Sequence, residues 1–501
     1  MLMEPTTREG TVSTQVLLGV LVPAMLLMVI ASDMVNLVLP LMGEEFAASE
    51  AQLAWVVTGF LLVFSIGIPF YGRIADRVSL RRLFSATLLV YSAGSLVCAL
   101  APNLFVVVLG RIVMGAGAGA IPVLSVVAVT RLLPAEKRGT GVGFISAAGG
   151  VGTAAGPVVG GGLGELFGWP SLFWLTLVCA LVLVPASLRV LPDHAPGSEE
   201  RFDIAGGVLL GLSAGLVLFG ITQGQAAGFD APSAWGSLLF ATAAGLLFLW
   251  RSLSTAQPFV PPSLFGSPVY AAAVMVIFVA MFTNLATLVF VPVLVVDVNG
   301  LSPGAGSLVM IPGGVALALV SPLAGRVADR AGARPLTIAG LAAIGASTLF
   351  LSSVGAGASA LLAAVGVLGV GVGIALVLTT VTNAAAGSLP PARVGVGLGI
   401  LQGSQFLGAG TGPALMGALL AARRGGNEGA ANPLYGQEAP AYSDVFLVLT
   451  LLVALALVAA LWLPPRLRSG PGSTRSEGTP EHNEASPGPE RGTEPDGTRQ
   501  G

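Results

Sequence analysis

The chain has 501 residues, of which 54% are hydrophobic and 10% charged, with a formal net charge of −2. This excludes an ordinary soluble globular domain, and the near-neutral balance excludes an electrostatic nucleic-acid partner. No Gly-Lys-Ser/Thr tripeptide occurs and the two histidines, His194 and His482, stand apart, so neither nucleotide hydrolysis, a metal centre nor a cofactor is expected.

A membrane span needs roughly 20 apolar residues. Fourteen stretches qualify: 16–42, 53–72, 83–101, 104–129, 140–165, 169–191, 204–223, 234–252, 269–296, 305–325, 335–354, 358–383, 394–421 and 443–464. The first is too long for a signal peptide and lacks a small-residue cleavage site, so it is expected to remain as a span. It holds Asp33, the one carboxylate deep within any span, with Asn36 three residues on and on the same face. A buried carboxylate can load and release a proton or bind a cation; the alternative is a structural ion pair.

Between the second and third spans lies Gly72-Arg73-Ile74-Ala75-Asp76-Arg77-Val78-Ser79-Leu80-Arg81-Arg82. The wording returns at Gly325-Arg326-Val327-Ala328-Asp329-Arg330, with a proline three residues before each glycine, Pro69 and Pro322. Gly72, Asp76 and Arg77, with Gly325, Asp329 and Arg330, are therefore candidate gates in which the acid caps or pairs across the bundle. Three further echoes keep the same order: Pro40 and Pro292, the ladders Gly115-Gly117-Gly119 and Gly369-Gly371-Gly373, and Gly152-x-x-x-Gly156-Pro157 and Gly408-x-x-x-Gly412-Pro413. Offsets of 252 to 256 residues mark two parallel six-span repeats, the plan of a large transporter fold.

In the fourth span, Arg111 either faces a cavity or a counter-charge or snorkels to the near surface. In the fifth, Gly152, Gly156 and Gly160 share one helix face, which lets a neighbour approach closely and slide, while Pro157 loosens the helix. Spans seven and eight are extra and separate the halves. Within them Gly211-Leu212-Ser213-Ala214-Gly215 matches a hydrolase pattern, but mid-span small-residue packing explains it. Asn284, Asn383, Gln402 and Gln405 add polar groups to later spans, either as substrate contacts or as helix–helix hydrogen bonds. Cys98 and Cys179 lie in apolar runs and read as free thiols.

With the N-terminus inside, inner segments carry 17 arginines and lysines and outer loops only Arg423 and Arg424. That bias places both ends in the cytoplasm. The expected layout is a cytoplasmic N-terminus (1–15), a six-helix bundle (16–201), an inserted pair (202–266), a second six-helix bundle (267–465) and a disordered cytoplasmic tail (466–501), rich in Pro, Gly, Ser and Glu.

These motifs resemble the major facilitator superfamily from about residue 16 to 465, and more narrowly its fourteen-span drug:proton antiporters, which include bacterial multidrug and tetracycline exporters. The inner-loop motif matches Gly72 to Arg82, and the fourth-span arginine motif matches Arg111, Gly115 and Gly119. The antiporter motif Gly-x-x-x-Gly-Pro-x-x-Gly-Gly matches Gly152, Gly156, Pro157, Gly160 and Gly161. Asp203-Ile204-Ala205-Gly206 and Pro258-Phe259-Val260-Pro261 resemble the borders of the family's inserted pair. Two positions depart from the pattern: Met114 stands where glutamine is frequent, and Ala31 where the first-span acid is frequent, with Asp33 nearer the asparagine. The resemblance implies an all-α membrane protein of the major facilitator fold. It implies a monomeric secondary antiporter in the cytoplasmic membrane, exchanging protons for drugs or other moderately hydrophobic molecules, with Asp33, Asn36, Arg111, Asn284, Gln402 and Gln405 as coupling or substrate residues. The alternatives are a metabolite exporter of the same fold and a non-transporting membrane sensor.

Overall fold

Apolar runs with few competing polar side chains leave the backbone one way to satisfy its own groups in lipid, the helix. The computed structural model describes residues 13–193, 203–228, 230–301, 306, 308–355, 359–424, 429–437 and 439–465, and among them it contains helices and turns but no strand. The proposed tail, 466–501, lies outside the described residues.

The first half comprises α1 (Thr14–Asp33), α2 (Val35–Phe46), α3 (Glu50–Ala75), α4 (Leu80–Ala99), α5 (Leu104–Ala118), α6 (Ala120–Leu132), α7 (Ala135–Phe167) and α8 (Pro170–Val190). The inserted pair is α9 (Ile204–Ala227) and α10 (Pro232–Ser254). The second half comprises α11 (Pro268–Asp297), α12 (Ile311–Ala331), α13 (Ala333–Phe350), α14 (Ala360–Gly387), α15 (Val394–Arg424) and α16 (Pro440–Ala460). Joining α1 to α2 and α5 to α6 gives one helical column for each of the fourteen expected spans. Twelve columns are long and apolar enough to cross a bilayer, and α7, bent by 40° between Gly156 and Val158, makes a thirteenth. Column α15 is diluted by Gln402, Gln405 and its glycines, but it is enclosed by α3, α6, α9 and α11. The bend in α7 has a local cause, because Pro157 has no N–H to give the Thr153 carbonyl one turn back.

Polar side chains set the helix ends. Ser49 and Gln52 form a reciprocal capping box at the start of α3, and Asn103 Oδ1 accepts the Val106 amide at 3.0 Å to start α5. After α3 the turn ends at Ser79, whose side chain caps α4. The matching position of the second copy is Gly332, which takes φ 88° between α12 and α13, a conformation glycine adopts at no steric cost.

The glycine ladders hold neighbouring helices at backbone contact. A Cβ on Gly115 would lie 2.5 Å from the Phe60 carbonyl oxygen of α3, and one on Gly117 would lie 2.5 Å from the Tyr91 nitrogen of α4. In the second half Gly371 meets the Gly313 carbonyl of α12 at 2.3 Å, and Gly373 meets that of Gly340 on α13 at 2.5 Å. The contacts therefore equate Gly115 with Gly371 and Gly117 with Gly373, a register of 256, two residues more than matching the ladders in order gives.

Candidate functional site

The two halves meet closely at their arginine-rich ends. Gly72 of α3 lies on Gly395 of α15, such that a Cβ on either would fall within 2.4 Å of the other's carbonyl oxygen. Gly325 of α12 and Gly139 of α7 repeat the arrangement at 2.1 and 2.6 Å. Only glycine permits such an approach, and it brings each motif aspartate against the start of a helix from the opposite half. Asp76 accepts the Gly395 amide at 2.8 Å on Oδ1 and the Val396 amide at 2.9 Å on Oδ2. Asp329 accepts the amides of Gly139 (2.7 Å) and Thr140 (3.0 Å) and the Thr140 hydroxyl (2.9 Å). Gly395 and Val396 are the second and third residues of α15, so Asp76 satisfies open N–H groups there and complements the helix dipole, whereas the Gly139 and Thr140 that Asp329 meets lie one turn inside α7.

The two gates differ in their counter-charge. Arg131, at the end of α6, donates to Asp76 Oδ1 at 2.5 Å and to the Ala75 carbonyl at 2.6 Å. Among the described residues no arginine or lysine pairs with Asp329, where Thr140 takes that place. The motif arginines themselves lie off the acids: Arg77 is half-buried and Arg330 is exposed. Burial pushes the Asp76 carboxyl above the usual range, against the opposing pull of the Val396 amide and Arg131. Sequence reading missed Arg131, Gly139, Thr140 and Gly395. The glycines were signalled, since Gly139, Gly141 and Gly143 recur as Gly395, Gly397 and Gly399 at the same offset of 256.

From the gates the contact between halves continues inward. A Cβ on Gly143 would meet the Ser321 carbonyl at 2.4 Å, and one on Gly150 would meet Leu317 Cγ at 3.0 Å. On the other seam Phe64 of α3 packs edge-on to Phe406 of α15, with centroids 4.9 Å apart. At the opposite end the described polar contacts stay within one half. Trp169 Nε1 donates to Glu45 at 2.6 Å, and Arg424 and Tyr442 both donate to Asp297, at 2.7 and 2.9 Å. Asp297 is thus an ion-pair partner rather than an isolated acid, and Glu165 is exposed. The molecule is closed at its arginine-rich end.

The glycine face of α7 packs inside its own half. A Cβ on Gly152 would meet Val29 Cβ at 2.7 Å, one on Gly156 would meet Asp33 Cβ at 2.8 Å, and one on Gly160 would meet the Met34 carbonyl at 2.5 Å. Gly408 and Gly412 of α15 sit likewise on the carbonyls of Phe278 and Phe282 of α11, at 2.3 and 2.2 Å. The glycines expected to face a sliding neighbour therefore hold α1 and α11, while the seam between halves uses Gly139, Gly143 and Gly150. Gly161 has only Leu37 Cδ1 near, at 3.8 Å.

Asp33 ends α1 and is half-buried, with the Thr153 side chain beside it and Arg111 within Coulombic reach. Thr153 lies inside the antiporter motif, one residue after Gly152, and sequence reading did not single it out; its repeat counterpart is Ala409. Arg111 does not snorkel. It is 0% exposed, its Nε donates to the Val56 carbonyl at 3.1 Å, and its guanidinium lies 4.1 Å from the centroid of the Phe60 ring. Among the described residues its two Nη atoms have no hydrogen-bond partner, nor has the buried Tyr91 hydroxyl nearby. Gln402 and Asn383 are buried, and Asn284 and Gln405 half-buried. Among the described residues none of the four bonds to Asp33 or Arg111. Asn36 and Pro157 are placed by their backbones alone, in α2 and in the bend of α7.

Two packed helical halves, each capping the other at one face of the bilayer, define a multi-pass transporter rather than an enzyme. The Major Facilitator Superfamily model matches residues 21–413 and 273–491, and the chain belongs to that superfamily. It is 30% identical over 390 residues to multidrug resistance protein Stp of Mycobacterium tuberculosis, covering 77% of this chain and 72% of the relative. It is 29% identical over 192 residues to the riboflavin transporter RibZ of Clostridioides difficile, 38% of this chain and 42% of that one. The solved structure of the proton:xylose symporter XylE superposes with a TM-score of 0.62 over 88% of this chain and 94% of XylE at 19% identity, a likeness of fold.

Proposed function

We propose that the protein is a proton-coupled exporter of drugs or other moderately hydrophobic small molecules. In this reading it works by alternating access in the cytoplasmic membrane, as a monomer with both termini inside. The observation that carries the reading is Asp33: a lone carboxylate on the antiporter-motif face, beside the Thr153 side chain, with Arg111 in reach and no ion pair of its own among the described residues. A proton bound there in one conformation and released in the other couples export to the gradient. The membrane potential supplies roughly 2.3 kcal/mol per charge per 100 mV. The gates at Asp76 and Asp329 would open to admit substrate from the cytoplasm, and the conformation described is the one closed on that side. Asn284, Gln402 and Gln405 are proposed to meet substrate from the second half. The likeness to Stp supports a drug substrate. The likeness to RibZ favours a second reading, export of a cellular metabolite by the same cycle.

Everted membrane vesicles energised by respiration test the proposal. Uptake of a fluorescent drug that collapses when a protonophore is added is expected. Uptake unaffected by the protonophore would remove proton coupling. A susceptibility panel in a strain lacking its own pumps, run beside metabolite secretion, separates the two substrate readings.

A further inference from the structure

The chain passes from the inserted pair to the second half between Ser254 of α10 and Pro268 of α11, at the arginine-rich end. Phe259, inside this linker, is anchored to the first half and the inserted pair. Asp203 Oδ1 accepts the Gly206 amide of α9 at 3.0 Å and Arg251 Nε of α10 at 2.7 Å, and Oδ2 accepts the Phe259 amide at 3.1 Å. The two border segments noted in the sequence are thus bonded to each other. The Phe259 ring is fully buried and packs on Phe70 of α3, with centroids 5.2 Å apart. It takes the space left by Gly207 of α9, where a Cβ would lie 2.8 Å from atoms of both rings.

Four residues on, the linker is anchored to the second half. Arg393 Nη1, at the entry to α15, donates to Ser263 Oγ at 2.8 Å. The Ser267 side chain accepts the Tyr270 amide to start α11, and the Tyr270 hydroxyl donates to the Gly397 carbonyl of α15 at 2.7 Å. Arg393 and Gly397 flank Gly395 and Val396, whose amides Asp76 accepts. Phe70 stands two residues before Gly72, which lies on Gly395. The two anchors therefore sit on opposite sides of one gate. Between them run Val260, Pro261 and Pro262. Pro261 is extended, at φ −65° and ψ 121°, and consecutive prolines leave the backbone little slack. Four residues of chain reach at most about 14 Å from Cα to Cα.

We propose that Phe259–Ser263 is a strap across this gate, and that its length sets the widest separation α3 and α15 reach when the arginine-rich end opens. Closed, the strap runs between anchors that the gate already holds together. Open, it draws taut and stops the halves, because stretching it further would break the Asp203 clamp or the Arg393 bond. The inference rests on the halves moving against each other, as alternating access requires. Neither the exported compound nor proton coupling enters it.

Spin labels at Val78→Cys and Ala392→Cys, exposed positions on the two sides of the gate, report the separation in full-length protein carrying Cys179→Ser; Cys98 is fully buried and stays. Distances are read by double electron–electron resonance with and without Asp76→Ala, which removes gate contacts. Asp76→Ala should add a longer distance to the closed one. A Gly-Ser-Gly-Ser insert between Val260 and Pro261 should move that longer distance outward by at least about 5 Å, within the ~13 Å that four extended residues add. A Gly-Ser insert at the same place should give an intermediate shift, and it decides the matter alone if the longer insert does not fold. The four-residue insert placed after Gly228, in the loop between α9 and α10, is the control and should leave both distances unchanged. A longer distance that the strap inserts do not move, or that the Gly228 insert moves equally, overturns the strap and leaves the motion of the halves standing. No longer distance in any variant overturns both.

Discussion

Asp33 is a carboxylate on a helix that otherwise has no use for one, and its surroundings dictate how its variants should behave. Asp33→Asn keeps the shape and the capacity to hydrogen-bond but cannot titrate, so normal membrane insertion with loss of substrate-induced proton release from vesicles is expected. Asp33→Glu should keep part of the release with a displaced pH profile. Full coupling in Asp33→Asn would remove the residue from the mechanism. A second contrast lies on the facing helix. Gly156→Leu must drive a side chain into Asp33, because even a Cβ there would sit 2.8 Å from Asp33 Cβ. Gly161→Ala meets only Leu37 Cδ1 at 3.8 Å. The first should abolish efflux at normal expression and the second should leave it near wild type; equal efflux by both would mean that the α1–α7 contact has no role in export. Scarcity alone drew attention to Asp33 in the sequence. Its neighbour Thr153 could not be found that way, since a hydroxyl on a small-residue face resembles packing until the opposing helix is in place.

The helix ends at the gates are held by charge-assisted hydrogen bonds, each worth roughly 1.5–3 kcal/mol net. Asp76→Ala removes those from Gly395, Val396 and Arg131, and Gly395→Ala places a methyl 2.1 Å from the Gly72 carbonyl oxygen. Both should loosen the closed end. The readout is maleimide labelling of Ser321→Cys from the cytoplasmic side in a Cys179→Ser background, the other cysteine, Cys98, being fully buried. Labelling about tenfold faster or more is expected, since about 1.4 kcal/mol corresponds to a factor of ten. Gly403→Ala, with nothing within 4 Å of its added Cβ, is the control and should label as wild type. Unchanged labelling in both gate variants would mean that these contacts do not hold the end shut. The motif and its repetition were plain in the sequence, and they located the acids. Which helix each acid caps was not, because the partner glycines carry no charge and their spacing of two residues reads as generic small-residue packing. Arg131 escaped for a related reason: the second half has no arginine in its place, so repetition pointed away from it.

At the scale of the molecule, the proposed topology, drawn from fourteen columns and the basic asymmetry, puts both chain ends on the same side. Reporter fusions after Leu467 and in the loop around Gly429 should report opposite compartments, the former cytoplasmic; same-side signals would contradict the arrangement. Hydrophobic run lengths made nearly every column legible, including the inserted pair, because span length follows from bilayer thickness and needs no knowledge of packing. Column α15 shows where that logic thins. Its glutamines and glycines lower its hydropathy because it packs among other helices, so it qualified as an apolar run in the sequence without reaching the hydropathy of the other columns. The conformation was not legible at all, since the residues closing one end are the same residues whether that end is open or shut.

The inserted pair sits unevenly across the seam. On the α3 side, Gly207, Gly211 and Gly215 of α9 bring its backbone against Phe70, Ile66 and Leu62, whereas on the α15 side Leu218 rests over Gly410. Helix α10 packs on α9 and turns Phe240, Trp250 and Leu253 outward. When the halves rock, α9 and α10 should travel as passengers of the first half, with Leu218 skating over a bare stretch of backbone. Gly410 then acts as a runway: bulk added there would work as a brake on the cycle, felt in turnover rate long before it is felt in folding or in substrate affinity.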